Sequence, residues 1–427
     1  MKNYLLTIII IFGLLQILQA QSYDENFTEE RLRLDLYHFG TDSTENYSLK
    51  RFVKETPYSG PKINLLSEQL HATYIIQVRH GDNYNLLFSR PYKTMFEEWQ
   101  DTKEAPYKHR VFEETLYIPY PKIGVHIEIL YQAHLGSFEK IWESYFDPEK
   151  SETEISHQQT DSELIYGKGK YQQAVDIAII AEGYTETEMD KFMNDANRIT
   201  NHFLNTPPFS AHKEKFNFYA VKSISKESGT DLPGENIWKE TAANSRFYTF
   251  GSERYLTTLS YHQSMDILNG IPHDQIVLLV NSEKYGGGGV FNHFSVVSSG
   301  HFLSEIVFTH EFGHAFGGLA DEYYSSSTAY VKHPDLSYEL IEPNITNLVD
   351  FDKKWKHMVS DTTPIPTPDT QTYDNQIGVF EGARYLSKGI YRPARNCRMK
   401  SNHADFCPVC QNVLVKMINF YSENSSN

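Results

Sequence analysis

Apolar and polar residues alternate through much of the first third of the chain. RLRLDLY (31–37) sets Leu32, Leu34 and Leu36 on one side of an extended segment, and GVHIEIL (124–130) does the same with Val125, Ile127 and Ile129. A period of two marks strands with one face buried. Between them, ATYIIQVRHGDNYNLLF (72–88) reads as two strands joined at a Gly-Asp-Asn turn. No helical period of any length interrupts this region, which predicts a β-sandwich over 21–146. It carries no clustered His or Cys and no Ser-His-Asp set.

The polar stretch DPEKSETEISHQQTDSE, poor in aromatic and branched residues, marks a linker over 147–170. From Val175 onward strands and helices alternate. VDIAIIAEGY is an apolar strand, Thr185 and Glu188 form a capping box, and DKFMNDANRITNHFL continues as a helix. HDQIVLLVN is a second buried strand. The region 171–427 is therefore an α/β unit with a mixed sheet, and the whole chain is α+β. Gly286 to Gly289 suggest a phosphate loop, but no Lys-Ser/Thr and no helix follow. They read instead as a flexible loop leading into a short strand, Phe294 to Ser298. At a cleft edge such a strand could pair with an extended peptide.

With 427 residues, 40% hydrophobic and 14% aromatic, the chain can bury large cores. A net charge of −16 argues against nucleic acid or an anionic membrane as partner and favours a neutral or basic substrate segment. MKNYLLTIIIIFGLLQILQA has Lys2, an apolar run from Leu5 to Leu15 and the small residue Ala20, the pattern of a signal peptide over 1–20. Its apolar run is shorter than the roughly 20 residues a spanning helix needs. The expectation is an exported protein, periplasmic or extracellular, without stable membrane insertion; the oligomeric state is open.

The chemistry concentrates in HEFGHAFGGLADEYY (310–324). HExxH places His310 and His314 on one side of a helix, about 6 Å apart along its axis. Both can then reach one zinc ion at about 2.0–2.1 Å. Glu311 lies one position round, near the water such an ion would hold. Gly317 follows as in the metzincin signature HExxHxxGxxH, but Ala320 stands where a third His should be. The extra Gly318 lengthens the turn by one residue and moves the expected third ligand to Asp321. Glu322 is the nearest rival, followed by a glutamate from a later helix, Glu339 or Glu342. Glu311 would take a proton from the zinc-bound water and deliver it to the leaving amine. Tyr323, Tyr324 or Tyr391 could supply a phenol to the oxyanion.

All three cysteines, Cys397, Cys407 and Cys410, fall in RNCRMKSNHADFCPVC. In an oxidising compartment a disulfide from Cys397 to Cys407 or Cys410 would leave one thiol over. The rival is a zinc knuckle on CPVC, with Cys397 and His403 as the available further ligands. Met399, in this Cys-anchored turn, is similar to the Met-turn beneath the metal in metzincins.

AEGYTETEMDKF, KESGTDLP, VNSEKYGGGG, HEFGHAFGGLADEY, IGVFEGARYLSKGIYRP and NCRM together resemble the IgA-peptidase family of metzincin-like zinc metallopeptidases. RLRLDLYHFG and the strands before FDPEK are similar to that family's N-terminal β domain. The resemblance implies a secreted bacterial zinc endopeptidase with His310, His314 and Asp321 as ligands and Glu311 as catalytic residue. It carries no substrate with it, since the members that cut immunoglobulin A are considerably longer. The alternative is a non-catalytic exported binding protein that retains a zinc site.

Overall fold

A computed structural model describes residues 23–67, 71–156, 159–325 and 328–422. The expected signal peptide lies outside the described residues. No helix among those described is long and apolar enough to cross a membrane.

The first part of the chain forms two four-stranded sheets. One has the order β5-β1-β2-β8, from Arg110–Pro121, Phe27–Gly40, Glu45–Glu55 and Glu154–Ile155. The other has the order β4-β3-β6-β7, from Leu86–Tyr92, Tyr74–His80, Val125–Tyr131 and Glu139–Phe146. Leu32, Leu34 and Leu36 meet Ile76, Val78, Ile127 and Ile129 in one core between them. The opposite face of RLRLDL is not solvated: Arg31, Arg33 and Asp35 are buried as deeply as the leucines.

A six-stranded mixed sheet organises the second part. Its order is β15-β16-β14-β10-β11-β9, from Gly287–Val290, Phe294–Ser298, Gln275–Val280, Val175–Glu182, Phe216–Val221 and Ser162–Tyr166. The four inner strands are parallel, and the two outer ones run antiparallel. The polar stretch 147–170 is not featureless, because β8 within it joins the first sheet and β9 joins this one. In β10, Ile177 and Ile179 enter one core while Ala178 and Ile180 enter another, as a parallel strand covered on both faces requires. The strand pairs β12–β13 (Ser245–Arg246, Thr257–Thr258) and β17–β18 (Phe380–Ala383, Leu386–Arg392) complete the strands.

Helices among the described residues include α1 (Met95–Gln100), α2 (Met189–Asn205), α3 (Tyr261–Ile267), α4 (Ser304–Gly317) and α5 (Pro408–Ser422). Thr185 and Glu188 close a capping box ahead of α2, the Thr185 N–H donating to the Glu188 carboxylate at 2.9 Å. On α4, Phe308, Phe312 and Phe316 recur every fourth residue and sink into the core with Phe203, Phe209 and Leu414. This stripe anchors α4 and leaves its other side to the chemistry.

Phe96 and Trp99 of α1 share a core with Ile180, Leu278 and Val296, so the two parts of the chain are packed as one body there. A charged cluster adds to the junction. Arg33 bonds Asp35 at 2.7 Å, Glu55 at 3.0 Å and Asp266 on α3 at 2.8 Å, and it donates to the His262 carbonyl. Burial would raise the Asp35 carboxyl, but the Arg33 guanidinium holds it below the ordinary range. Truncating Arg33 removes one of two guanidinium partners from Asp35 and Glu55, which keep Arg51 and Arg31, and costs about 1–3 kcal/mol. Arg33→Ala should therefore lower the urea midpoint with an unchanged m-value, and a shift under about 1 kcal/mol would contradict the cluster's role. The Asp35 contribution is present above the unfolded pKa of about 3.9 and is lost as pH falls below it.

Candidate active site and metal centre

The side of α4 away from its phenylalanines carries His310, Glu311 and His314 into a cleft of about 210 Å³. His310 Nε2 and His314 Nε2 lie 3.1 Å apart. Asp321 Oδ1 is 3.2 Å from each. The ring orientations follow from the opposite nitrogens. His310 Nδ1 faces the Arg398 carbonyl at 2.9 Å, and His314 Nδ1 faces the Leu319 carbonyl at 2.6 Å. A carbonyl only accepts, so both Nδ1 atoms carry the proton and both Nε2 lone pairs point at the same spot.

The chain reaches Asp321 through a helix end. Gly317 is still helical, and Gly318 at φ +61° makes the reversal, its N–H bonding the His314 carbonyl at 3.0 Å. Ala320 is then gripped on both sides by the Asn344 amide, at 2.7 and 2.9 Å. Tyr385 donates its hydroxyl to Asp321 Oδ2 at 2.6 Å. Arg384 and Tyr385 form the two-residue turn between β17 and β18, both at positive φ (47° and 64°). A non-glycine residue pays of order 1–2 kcal/mol for that conformation. The turn is held by Arg384 N–H to the Asp321 carbonyl and Tyr385 N–H to the Tyr323 carbonyl, each 3.0 Å.

The donor set suits a divalent cation. Three atoms held at ~2.0–2.1 Å from a tetrahedral centre would be about 3.3 Å apart, close to the observed spacing. Asp321 Oδ1 has no aligned hydrogen-bond donor although it is buried. Burial would lower the His314 imidazole, yet the Asp321 charge lifts it to about 9. The same negative field attracts a metal ion. Burial raises the Glu311 carboxyl against the opposing effect of the two imidazoles.

The glycine run does something other than form a flexible loop. Gly287–Val290 is itself the edge strand β15, lying flush on α4. A Cβ on Gly289 would sit 2.3 Å from the Glu311 carbonyl oxygen, and one on Gly287 would sit 2.8 Å from Glu311 Oε1. Phe294–Ser298 is flanked on both sides, by β14 and β15, and offers no free edge to a peptide. The outer side of β15 meets Tyr255 and Leu256 at Gly287.

Other expected residues are dispersed. Tyr323 lines the cleft, its ring centroid 6.4 Å from that of His310. Tyr324 instead lies under Arg392, and Tyr391 is bridged to Thr346. Glu339 is taken up by Thr346 and by backbone N–H groups, and Glu342 by Lys93 at 2.7 Å. Glu322 turns away from the cleft toward the cysteines. Met399 lies under α4, where a Cβ on Gly313 would be 2.8 Å from its Sδ. The three cysteines lie together and unbonded, Cys397 Sγ and Cys410 Sγ 3.7 Å apart, and His403 is exposed. Tyr385 was missed from sequence, as were Lys93, Glu97, Glu98 and Asp101, which bring a wall of the first part into the cleft.

The family profile described as IgA Peptidase M64 matches residues 165–376 and 369–418, and the one described as Peptidase M64 N-terminus matches 22–143. The chain belongs to the M64 peptidase family. A comparison with curated proteins gives no match. As an M64 peptidase it is a hydrolase acting on protein or peptide substrates, and His310, His314 and Asp321 are a possible metal-binding group within it.

Gly289→Ala tests the seat of Glu311. Overpacking of this kind costs about 1–3 kcal/mol, so the variant should melt earlier and cleave peptides more slowly. Wild-type melting and activity would contradict the close packing of β15 on α4.

Proposed function

We propose that the chain is an exported zinc-dependent endopeptidase. Its parts are a signal peptide over 1–20, a β domain over 21–146, a linker over 147–170 bearing β8 and β9, and a metzincin-like catalytic domain over 171–427. The observation that carries this reading is the convergence of two imidazole Nε2 atoms and one orphaned carboxylate oxygen within 3.2 Å. His310, His314 and Asp321 would hold the ion, which when bound lowers the pKa of a water and polarises the scissile carbonyl.

The remaining work falls to the chain's own side chains. Glu311, half-buried beside Gly287 with its carboxyl raised by desolvation, takes the proton of the attacking water and passes it to the leaving amine. Tyr385 orients Asp321 through its hydroxyl. Tyr323 brings a phenol into the cleft, its ring 6.4 Å from that of His310, in keeping with a role toward the developing oxyanion. Met399 fills the position of a Met-turn: its backbone neighbour Arg398 fixes His310, while its own side chain supports α4 at Gly313.

Glu311→Gln should retain zinc and lose peptide cleavage by at least about 100-fold, read on a peptide library by mass spectrometry. Cleavage at the wild-type rate would remove Glu311 from the chemistry, and a wild type that binds zinc yet cleaves nothing would favour the binding-protein alternative. Tyr385→Phe should weaken zinc binding about 10–100-fold in a chelator competition, the usual effect of losing a partner that orients a metal ligand. Unchanged affinity would mean that Asp321 needs no such support.

A further inference from the structure

Glu322 packs among Cys397, Cys407 and Cys410, and one ligand-capable atom from each lies within 4.8 Å of the others. All four side chains are buried. We propose that these four residues form a second metal site, structural in role and suited to zinc. The proposal goes beyond the cleft chemistry and does not depend on it.

The geometry is that of a coordination shell. Cys397 Sγ and Cys410 Sγ are 3.7 Å apart, against about 3.8 Å for two sulfurs held at ~2.3 Å by a tetrahedral zinc. Glu322 Oε1 is already held, by Asn344 Nδ2 at 3.0 Å and by Cys410 Sγ at 3.2 Å. Glu322 Oε2 is buried with no partner at all. A buried carboxylate oxygen is seldom left so, and a cation is the partner that would satisfy it. Cys407 and Cys410 have knuckle spacing at the start of α5, where the helix N-terminus favours thiolates. The Cys407 N–H already points at Cys397 Sγ at 3.3 Å. A disulfide between any two of these thiols would leave the third thiol and the orphan oxygen unserved.

Such an ion would staple three separate segments. Glu322 follows the α4 turn, Cys397 opens the turn that holds Met399, and the other two cysteines begin α5. The Glu322 N–H bonds the Met399 carbonyl at 2.8 Å, so the staple lies directly beside Asp321 and the Arg398 carbonyl. It would hold the cleft's third ligand in register with the histidines.

Elemental analysis of the full chain, loaded with zinc and desalted, should give two zinc ions per chain. His310→Ala/His314→Ala should retain one, and adding Cys407→Ser should remove that one. If the triple variant fails to fold, the cobalt-loaded double variant serves instead and should show near-ultraviolet thiolate-to-cobalt charge transfer. A double variant that holds no metal, or lacks that band, would overturn the site. So would wild type that, denatured in chelator without reductant, titrates one thiol and not three. A single ion in wild type that survives His310→Ala/His314→Ala would refute the cleft reading and leave this one standing.

Discussion

Two hydrogen bonds to backbone carbonyls decide what this cleft can be. With the Nδ1 protons of His310 and His314 committed to Arg398 O and Leu319 O, the Nε2 lone pairs have nowhere to point but at each other and at Asp321. Three electron-rich atoms facing one another are repulsive unless a cation sits among them. The arrangement stands because the surrounding structure imposes it: the Phe308, Phe312, Phe316 stripe fixes α4, and Gly318 turns the chain back. The strained Arg384–Tyr385 turn then presses a phenol onto Asp321.

The histidine pair was legible because four-residue spacing on a helix is a local rule, indifferent to the rest of the fold. Counting one residue further for Gly318 predicted a carboxylate at position 321, and the structure brings that carboxylate to both imidazoles. The reversal falls at Gly318, which takes the left-handed conformation. Glu322 was ambiguous because the cysteines it meets lie at least 75 residues away, where no spacing argument reaches. Tyr385 was invisible for the same reason. The glycine run was misread because glycine serves flexibility and close approach alike, and only the 2.3 Å clearance tells them apart.

The first part of the chain shows the limit of pattern reading. Alternation located its strands and the leucine face, but the polar face of RLRLDL looks solvated in sequence and is in fact buried against α3. Lys93 to Asp101 carry no motif, yet α1 shares a core with the central sheet and Glu98 meets Tyr255 and Tyr330 across the cleft. Burial raises Glu98 to about 7. The cleft is thus lined by residues of both parts of the chain.

Anomalous scattering at the zinc edge locates a bound ion directly. Crystals of the zinc-loaded chain should show an anomalous peak bonded to His310 Nε2, His314 Nε2 and Asp321 Oδ1. Absence of a peak at that position, or one bonded to Glu339 or Glu342 in place of Asp321, would contradict the account.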